Sequence, residues 1–203
     1  SFCSIGDLDV YDRKLVIRGC SFGCFDQLFE CDFEEKSHTK LLNEISLESI
    51  NEYARPESFW FKGFNNQPTH SFIYKPLFER FIKPPLIVKA HSGPTACFDG
   101  SLNSEVQYWT SKGFTVAEVN YGGSSGFGRV YRERLKYKWG ILDSYDCKAL
   151  VLDLIRLSQV DSTKVAILGN SAGGLTAINA LCEGDLFKVA ICKYPVLDLN
   201  DMH

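Results

Sequence analysis

The stretch that decides the fold is Val165-Ala166-Ile167-Leu168-Gly169-Asn170-Ser171-Ala172-Gly173-Gly174. Its first half is an apolar run typical of a buried strand, and its second half opens a helix predicted over 172–182. Between them lies a Gly-x-Ser-x-Gly pattern, which puts a serine on a tight strand-to-helix turn. Glycine is needed two positions on either side because a side chain there would collide with the strand or the helix. The sequence therefore predicts that the hydroxyl of Ser171 is exposed on a sharp turn.

This turn has the chemistry of a nucleophile elbow. The residues that complete it around the serine are Gly169, Asn170, Gly173 and Gly174. The helix that begins at Ala172 directs backbone N–H groups and the positive end of its dipole at the turn, which favours the oxyanion of an acyl-transfer intermediate. We predict that Ser171 is a catalytic nucleophile and that the N–H of Ala172 belongs to the oxyanion hole. The alternative, a serine that only caps a helix, does not require this order of strand, turn and helix.

A second loop stands where such chemistry needs it. His91-Ser92-Gly93-Pro94 directly follows an apolar strand predicted over 86–90. The backbone N–H of Gly93 is predicted to join that of Ala172 in the oxyanion hole. Pro94 fixes the direction of the loop but donates no hydrogen bond. We interpret the His91 side chain as a hydrogen-bonded loop histidine rather than a proton-transfer group.

The pattern around these loops alternates strands and helices from about residue 84 onward. Helices are predicted over 104–112 and 144–157, strands over 114–119 and 188–192, and a glycine-rich loop over 121–128. Such alternation predicts right-handed crossovers and a doubly wound α/β sheet, which with the elbow indicates an α/β-hydrolase. Before residue 84 the pattern is different, with short strands over 14–18 and 27–33 and a hairpin over 58–61 and 70–74.

Composition narrows the classes of partner. The chain has 203 residues, of which 45% are hydrophobic and 23% charged, a balance typical of a globular chain with a sizeable core. A net charge of −3 leaves no excess of Lys and Arg for nucleic acid or an anionic membrane, so we expect neither as a partner. The longest apolar runs fall far short of the ~20 residues that span a bilayer. No metal or organic cofactor is implied.

The 8 cysteines are scattered along the chain, without the spacing of a small disulfide-rich domain, so a reduced, cytoplasmic protein is expected. Their densest group lacks the paired Cys-x-x-Cys spacing of a structural zinc site. This group consists of Cys20, Cys24, Cys31 and His38. Ordinary strand cysteines are therefore expected there.

Four segments follow one another in a recognisable order: 85–94, 120–128, 139–146 and 169–174. They are similar to an HGGP loop with its strand, an NYRGSxGYG segment, a WGxxDxxD helix entry and a GxSxGG elbow. In this order they resemble the prolyl oligopeptidase family of serine peptidases, especially its acylaminoacyl-peptidase and dipeptidyl-peptidase branches. The resemblance implies an incomplete hydrolase domain over 84–203, preceded by part of a β-propeller blade over 1–46 and by a linker with a hairpin over 47–83. It also implies a peptide substrate.

The sequence departs from the family pattern at three points. Ser92 replaces the first Gly of HGGP, where a side chain is expected to disturb a tight loop, and Gly122 replaces the Arg of NYRGS. The family's catalytic Asp and His follow the serine only after further strands. Asp198, Asp201 and His203 come too soon after the last predicted strand to fill these roles. The isolated chain is therefore expected to lack a general base and to be nearly inert.

Three functions remain open from the sequence. The first is a piece of a serine peptidase that forms an acyl-enzyme on Ser171. The second is a carboxylesterase or lipase, because the same elbow and loop serve ester substrates. The third is a catalytically silent remnant or interaction subunit, which would pair with a chain that carries the missing strands, Asp and His.

Overall fold

The computed structural model describes residues 3–12, 14–32, 34–41 and 53–198. The N-terminal part forms an antiparallel sheet of 4 strands that neighbour one another in chain order. These strands are β1 (Ser4–Tyr11), β2 (Lys14–Ser21), β3 (Cys24–Asp32) and β4 (Ser37–Lys40). The strands predicted near 14–18 and 27–33 are confirmed. A simple up-and-down sheet of this kind is consistent with propeller-like strands.

The second sheet has 6 strands in the order β10-β9-β7-β8-β6-β5. They are β5 (Glu57–Lys62), β6 (Pro68–Tyr74), β7 (Leu86–Ala90), β8 (Thr115–Asn120), β9 (Val165–Asn170) and β10 (Val189–Lys193). Strands β7 to β10 run parallel, whereas β5 and β6 form the predicted hairpin. The hairpin pairs through β6 with β8, so it extends the α/β sheet. The domain limits at 46 and 83 stay predictions, and residues 42–52 lie outside the described chain.

Helices cover both faces of this sheet. They are α1 (Ser104–Ser111), α2 (Arg129–Arg132), α3 (Leu142–Arg156) and α4 (Ala172–Cys182). On one face, Val106 of α1 packs with Val116 of β8. On the other face, Leu150 of α3 and Ala177 of α4 join a larger core that includes Ala117. Since successive residues of a strand face opposite sides, Val116 and Ala117 belong to different cores. The predicted doubly wound α/β-hydrolase sheet is confirmed.

A buried ion pair crosses the sheet beneath α1. Lys89 of β7 lies opposite Glu118 of β8 in the strand register, and Lys89 Nζ is 3.0 Å from Glu118 Oε1. The Tyr74 hydroxyl donates to the other carboxylate oxygen of Glu118 at 3.0 Å. Glu105 of α1 completes the network, 3.3 Å from Lys89 Nζ. Both charged strand residues are buried, and they are tied to each other, to β6 and to the covering helix.

The strand order opens a crevice at the carboxyl edge of the sheet. Strand β7 lies between β8 and β9. The chain leaves β7 towards α1 on one face, whereas it reaches β9 after α3 on the opposite face. Loops that part in this way leave a space at the carboxyl ends of the strands, which is the usual ligand position in such sheets. His91 and Ser171 directly follow these two strand ends.

The described part of the chain contains no helix long and apolar enough to cross a membrane. Within the same ranges, no group of three or more His, Cys, Asp or Glu side chains is placed to hold a metal ion. Of the residues considered for zinc, Cys31 lies opposite His38 across β3 and β4, and Cys20 is buried in β2.

Candidate active site

Ser171 occupies a strained turn between β9 and α4. Its backbone has φ 52° and ψ −117°, in the left-handed half of the φ range that favours glycine. A Cβ atom at Gly169 would lie 1.9 Å from the carbonyl oxygen of Gly173, and one at Gly173 would lie 2.4 Å from that of Ala90. Neither overlap is tolerable for a backbone contact, so only glycine fits at both positions. The elbow thus has the tight geometry that the Gly-x-Ser-x-Gly pattern predicts.

Hydrogen bonds to the last residue of β10 and to the segment that follows it hold the turn from the other side. The N–H of Ser171 donates to the carbonyl oxygen of Lys193 at 3.1 Å, and the N–H of Val196 donates to that of Ser171 at 3.1 Å. Gly174 packs against Pro195, whose Cβ would lie 2.6 Å from a Cβ at Gly174. Asn170 Oδ1 is buried and accepts no hydrogen bond from the described residues. The strained serine backbone is therefore fixed by its surroundings.

The His91 side chain holds the loop that follows β7. Its Nδ1 lies 2.9 Å from the carbonyl oxygen of Gly93, and its Nε2 lies 2.7 Å from the Ser124 hydroxyl. Because a carbonyl only accepts, we assign the proton to Nδ1, so that Nε2 accepts from Ser124. The ring also stacks on Tyr121, with centroids 4.2 Å apart. This arrangement agrees with our interpretation of His91 as a hydrogen-bonded loop histidine.

Burial keeps this histidine neutral. The pKa of His91 is lowered to about 4, chiefly because desolvation disfavours the imidazolium, although its hydrogen bond to Gly93 acts in the opposite direction. The Tyr121 hydroxyl, at the face of the same ring, has its pKa raised by burial. Neither group is poised to exchange a proton at neutral pH. Both residues position the loop.

Further contacts fix the same loop, and sequence reasoning missed them. The N–H of Ser125 is shared by the carbonyl oxygens of Thr95 and Ala96, each at 3.1 Å. The Asn120 side chain accepts from the N–H of Phe98 at 2.7 Å and donates to the carbonyl oxygen of Phe98 at 3.0 Å. Asn120 and Ser125 could have been identified from the sequence because both belong to the segment over 120–128. That segment therefore supports the His91 loop.

Two buried aspartates of α3 support the neighbouring loops. Asp146 accepts from the N–H of Phe64 at 2.7 Å and from that of Gly122 at 2.8 Å. Its pKa is nevertheless raised to about 6, because desolvation outweighs these two hydrogen bonds. Asp143 accepts from the N–H of Gly140 at 2.6 Å and from the hydroxyl of Thr176 in α4. The WGxxDxxD segment thus bonds to the hairpin turn, the glycine-rich loop and the helix of the elbow.

The structure shows how the chain accommodates two departures from the family pattern. The Ser92 side chain is exposed and its backbone φ is not positive, so it does not occupy a tight position. The expected disturbance of the loop by Ser92 is therefore wrong. Gly122 leaves room that Arg134 fills, since a Cβ at Gly122 would lie 3.3 Å from Arg134 Cδ. An arginine from another part of the chain thus lies beside Gly122.

The predicted oxyanion-hole donors and the Ser171 hydroxyl have no partner of the predicted kind in the described part of the chain. The N–H groups of Gly93 and Ala172 donate to no acceptor within the described residues. Over the same ranges no imidazole hydrogen-bonds the Ser171 hydroxyl, and His91 is engaged elsewhere. Asp198 is exposed, while Asp201 and His203 lie outside the described residues. The roles of Ser171, Gly93 and Ala172 remain predictions.

Comparison with known proteins gives the family. Residues 100–203 match the prolyl oligopeptidase family. Acylamino-acid-releasing enzyme 2 of Oryza sativa subsp. japonica is 33% identical over 119 residues, which are 58% of this chain and 15% of that protein. Dipeptidyl-peptidase 5 of Schizosaccharomyces pombe is 29% identical over 167 residues, 77% of this chain and 24% of that protein.

Solved structures agree over a longer part of the chain. A puromycin-hydrolysing peptidase of Mycobacterium tuberculosis superimposes with a TM-score of 0.88 and 31% identity, over 96% of this chain and 31% of that one. The acylaminoacyl peptidase of Pyrococcus horikoshii gives a TM-score of 0.80 and 26% identity, over 95% of this chain and 31% of that one. The chain therefore spans less than a third of the length of these relatives.

Proposed function

The chain belongs to the prolyl oligopeptidase family of serine peptidases, and from this premise we propose that the complete protein hydrolyses peptide bonds of short peptides through an acyl-enzyme on Ser171. The observation that carries the proposal is the strained backbone of Ser171 at a glycine-walled turn. Strain of this kind at a serine after a strand serves to present a hydroxyl. Because the chain spans a small share of its relatives' length, the activity is proposed for the complete protein.

In the proposed reaction the Ser171 oxygen attacks the carbonyl carbon of the scissile peptide bond. A base takes the hydroxyl proton, and the carbonyl oxygen becomes an oxyanion. The free N–H groups of Gly93 and Ala172 would stabilise this oxyanion, aided by the positive end of α4. Collapse expels the amine, which takes up a proton, and water then releases the peptide acid from the serine.

A second proposal concerns the chain by itself, which we expect to be nearly inert. The supporting observation is that no described imidazole reaches the Ser171 hydroxyl. Strand β10 pairs only with β9 in the described residues, and Val189 and Ile191 on it are exposed. This edge would accept a further strand from a segment or partner chain that carries the Asp and the His. A cytoplasmic location remains an expectation.

The proposal is tested with a fluorophosphonate probe and two substrates that differ only in an arylamide or an ester leaving group. In the complete protein the probe should label Ser171, and Ser171→Ala should abolish labelling and arylamide hydrolysis. Cys97→Ser is the matched control, since this thiol is exposed in the segment after β7, which begins with the His91 loop, and has no proposed role. Ester turnover without arylamide turnover would favour the esterase. Absence of labelling in the complete protein would favour the silent remnant.

A further inference from the structure

One short segment concentrates positive charge in an acidic chain. The segment over 129–138, here called the basic segment, contains five Lys or Arg residues and one Glu. It therefore has a surplus of four positive charges, whereas the whole chain has a net charge of −3. A local surplus of this size creates a positive potential that attracts anionic groups within about a Debye length, ~8–10 Å at physiological salt.

The basic segment lies beside the loop that follows β7. The N–H of Gly123 donates to the carbonyl oxygen of Tyr131 at 3.0 Å, which holds the segment to the glycine-rich loop. Between the segment and the β7 loop is an open cleft of about 540 Å³. Pro94 and Thr95 line one side of the cleft, directly after Gly93 of the proposed oxyanion hole. The cleft therefore adjoins the place where the substrate carbonyl would be held.

The other side of the cleft presents two exposed cations. Arg132 and Lys136 line it, are exposed, and form no ion pair with any residue in the described ranges. By contrast, Arg134 donates to the carbonyl oxygen of Pro68 at 2.9 Å and lies 4.1 Å from the Tyr131 ring. Arg134 is thus held by the fold, whereas the exposed Arg132 and Lys136 can reach a ligand in the cleft. Lys136 Nζ also lies 5.3 Å from the centroid of the exposed Tyr137 ring.

The lining of the cleft is positive on balance. Besides Arg132 and Lys136 it includes one acidic side chain, Glu133, and the aromatic Trp139. Two cations against one carboxylate leave one positive charge, and Arg and Lys both form charge-assisted hydrogen bonds with the oxygens of a carboxylate. The segment also has an aromatic residue, Tyr137, with its side chain almost fully exposed.

We propose that this cleft binds a carboxylate of the peptide substrate and gives the complete enzyme a preference for anionic peptides. The inference rests on the proposed peptidase function. The carboxylate is either an acidic side chain or the α-carboxylate at the peptide's C-terminus, since both have the same chemistry. Attraction to Arg132 and Lys136 acts on binding, so it lowers KM more than it raises kcat.

The test uses the complete protein and four peptides of one sequence. They carry Glu or Gln at one position and end in a free carboxylate or an amide. In Arg132→Gln/Lys136→Gln, KM for the preferred anionic peptide should rise about 5- to 10-fold, while the neutral peptide changes less than about 2-fold. The Glu and terminal-acid arms identify which carboxylate is bound. Lys83→Gln/Lys112→Gln is the matched control, because both lysines are exposed and neither lines this cleft.

Charge reversal keeps the inference falsifiable if neutralisation has a small effect. Arg132→Glu/Lys136→Glu should invert the preference, so that an additional peptide with Lys at the varied position becomes a better substrate than the Glu-containing one. Equal turnover of all four peptides by the unaltered protein, or an equal loss for neutral and anionic peptides in the variants, would overturn the inference and leave the peptidase function standing. If no peptide is cleaved, the peptidase function fails. Carboxylate binding by the cleft is then tested without catalysis. The Ser171→Ala protein is compared with and without Arg132→Gln/Lys136→Gln for its affinity for a fluorescent Glu peptide, and equal affinities would overturn the inference.

Discussion

The Cα atom of Gly173 faces the carbonyl oxygen of Ala90 so closely that a Cβ atom on Gly173 would lie 2.4 Å from it. The same atom would lie 2.7 Å from the carbonyl oxygen of His91. The elbow is thus packed directly against the strand end from which the His91 loop departs. Any displacement of Gly173 must also displace the start of that loop.

Gly173→Ala should therefore destabilise the protein by about 1–3 kcal/mol, because the new methyl group meets backbone atoms that cannot rotate away. Labelling of Ser171 in the complete protein should fall as well. Urea unfolding measures the first effect and probe labelling the second. Gly6→Ala is the control, since its nearest atom is the flexible end of Arg18 at 3.2 Å, and it should cost less than about 0.5 kcal/mol. Equal costs at both glycines would contradict the close approach.

The positive φ of Ser171 predicts that glycine at this position gives a more stable protein than alanine. Ser171→Gly should be more stable than Ser171→Ala by about 1–3 kcal/mol, because glycine adopts φ 52° without strain. Both variants should lose activity. Ser144 of α3 provides the matched control, where Gly should be less stable than Ala by about 0.5–1 kcal/mol. The comparison uses denaturant unfolding of all four variants. The same sign at both positions would mean that the turn is not strained.

The depressed pKa of His91 predicts a specific loss of stability in acid. The unfolded chain binds a proton on this residue as the pH falls below about 6.5, whereas the folded protein binds it only near pH 4. The contribution of neutral His91 is therefore complete above pH 6.5 and is lost as the pH falls towards 4. Between pH 7 and 4.5, the stability difference between the unaltered protein and His91→Gln should shrink by about 2–3 kcal/mol. A constant difference would show that His91 is not held neutral.

Asp146 tests the support of the glycine-rich loop. Asp146→Asn keeps the shape but leaves one carboxylate oxygen replaced by an NH₂ group, which faces the N–H of Phe64 or Gly122. The loss of one buried acceptor should cost about 1–3 kcal/mol in the free energy of unfolding. Asp153→Asn, which breaks only a surface ion pair with Arg156, should cost less than about 0.5 kcal/mol. Similar effects at both positions would argue against the double acceptance by Asp146.

The local elements could be predicted from the sequence because local patterns determine them. Strand β9, the turn at Ser171 and helix α4 appear as the Gly-x-Ser-x-Gly context requires, and β7 matches its predicted range. The partners of His91 could not be predicted in this way. Ser124 and Tyr121 lie about thirty positions further along the chain, and only the packing of β7 beside β8 brings them to the imidazole ring. Hydrophobic periodicity along the sequence carries no information about such long-range side-chain contacts.

Longer-range pairing was also beyond the local pattern. The hairpin of β5 and β6 was predicted as a hairpin, yet its attachment to β8 depends on registers such as His70 opposite Asn120. Asp146 likewise bonds to Phe64, 82 positions away in sequence. The resemblance to the WGxxDxxD segment can suggest that an aspartate matters, but its partners follow from the tertiary fold. The positions of the catalytic atoms relative to one another depend on the same kind of contact.

The buried pair of Lys89 and Glu118 has a consequence for folding fidelity. Side chains alternate between the two faces of a strand, so a one-residue slip of β7 against β8 would turn Lys89 towards the apolar core of Val88 and Ala90. An ammonium group there would have no counterion, at a cost of several kcal/mol. Two strands that carried only apolar pairs, such as Ile87 opposite Val116, would tolerate that slip more readily. The ion pair therefore disfavours the shifted register of β7 and β8. It favours the register in which His91 and Ser171 lie at the same edge of the sheet.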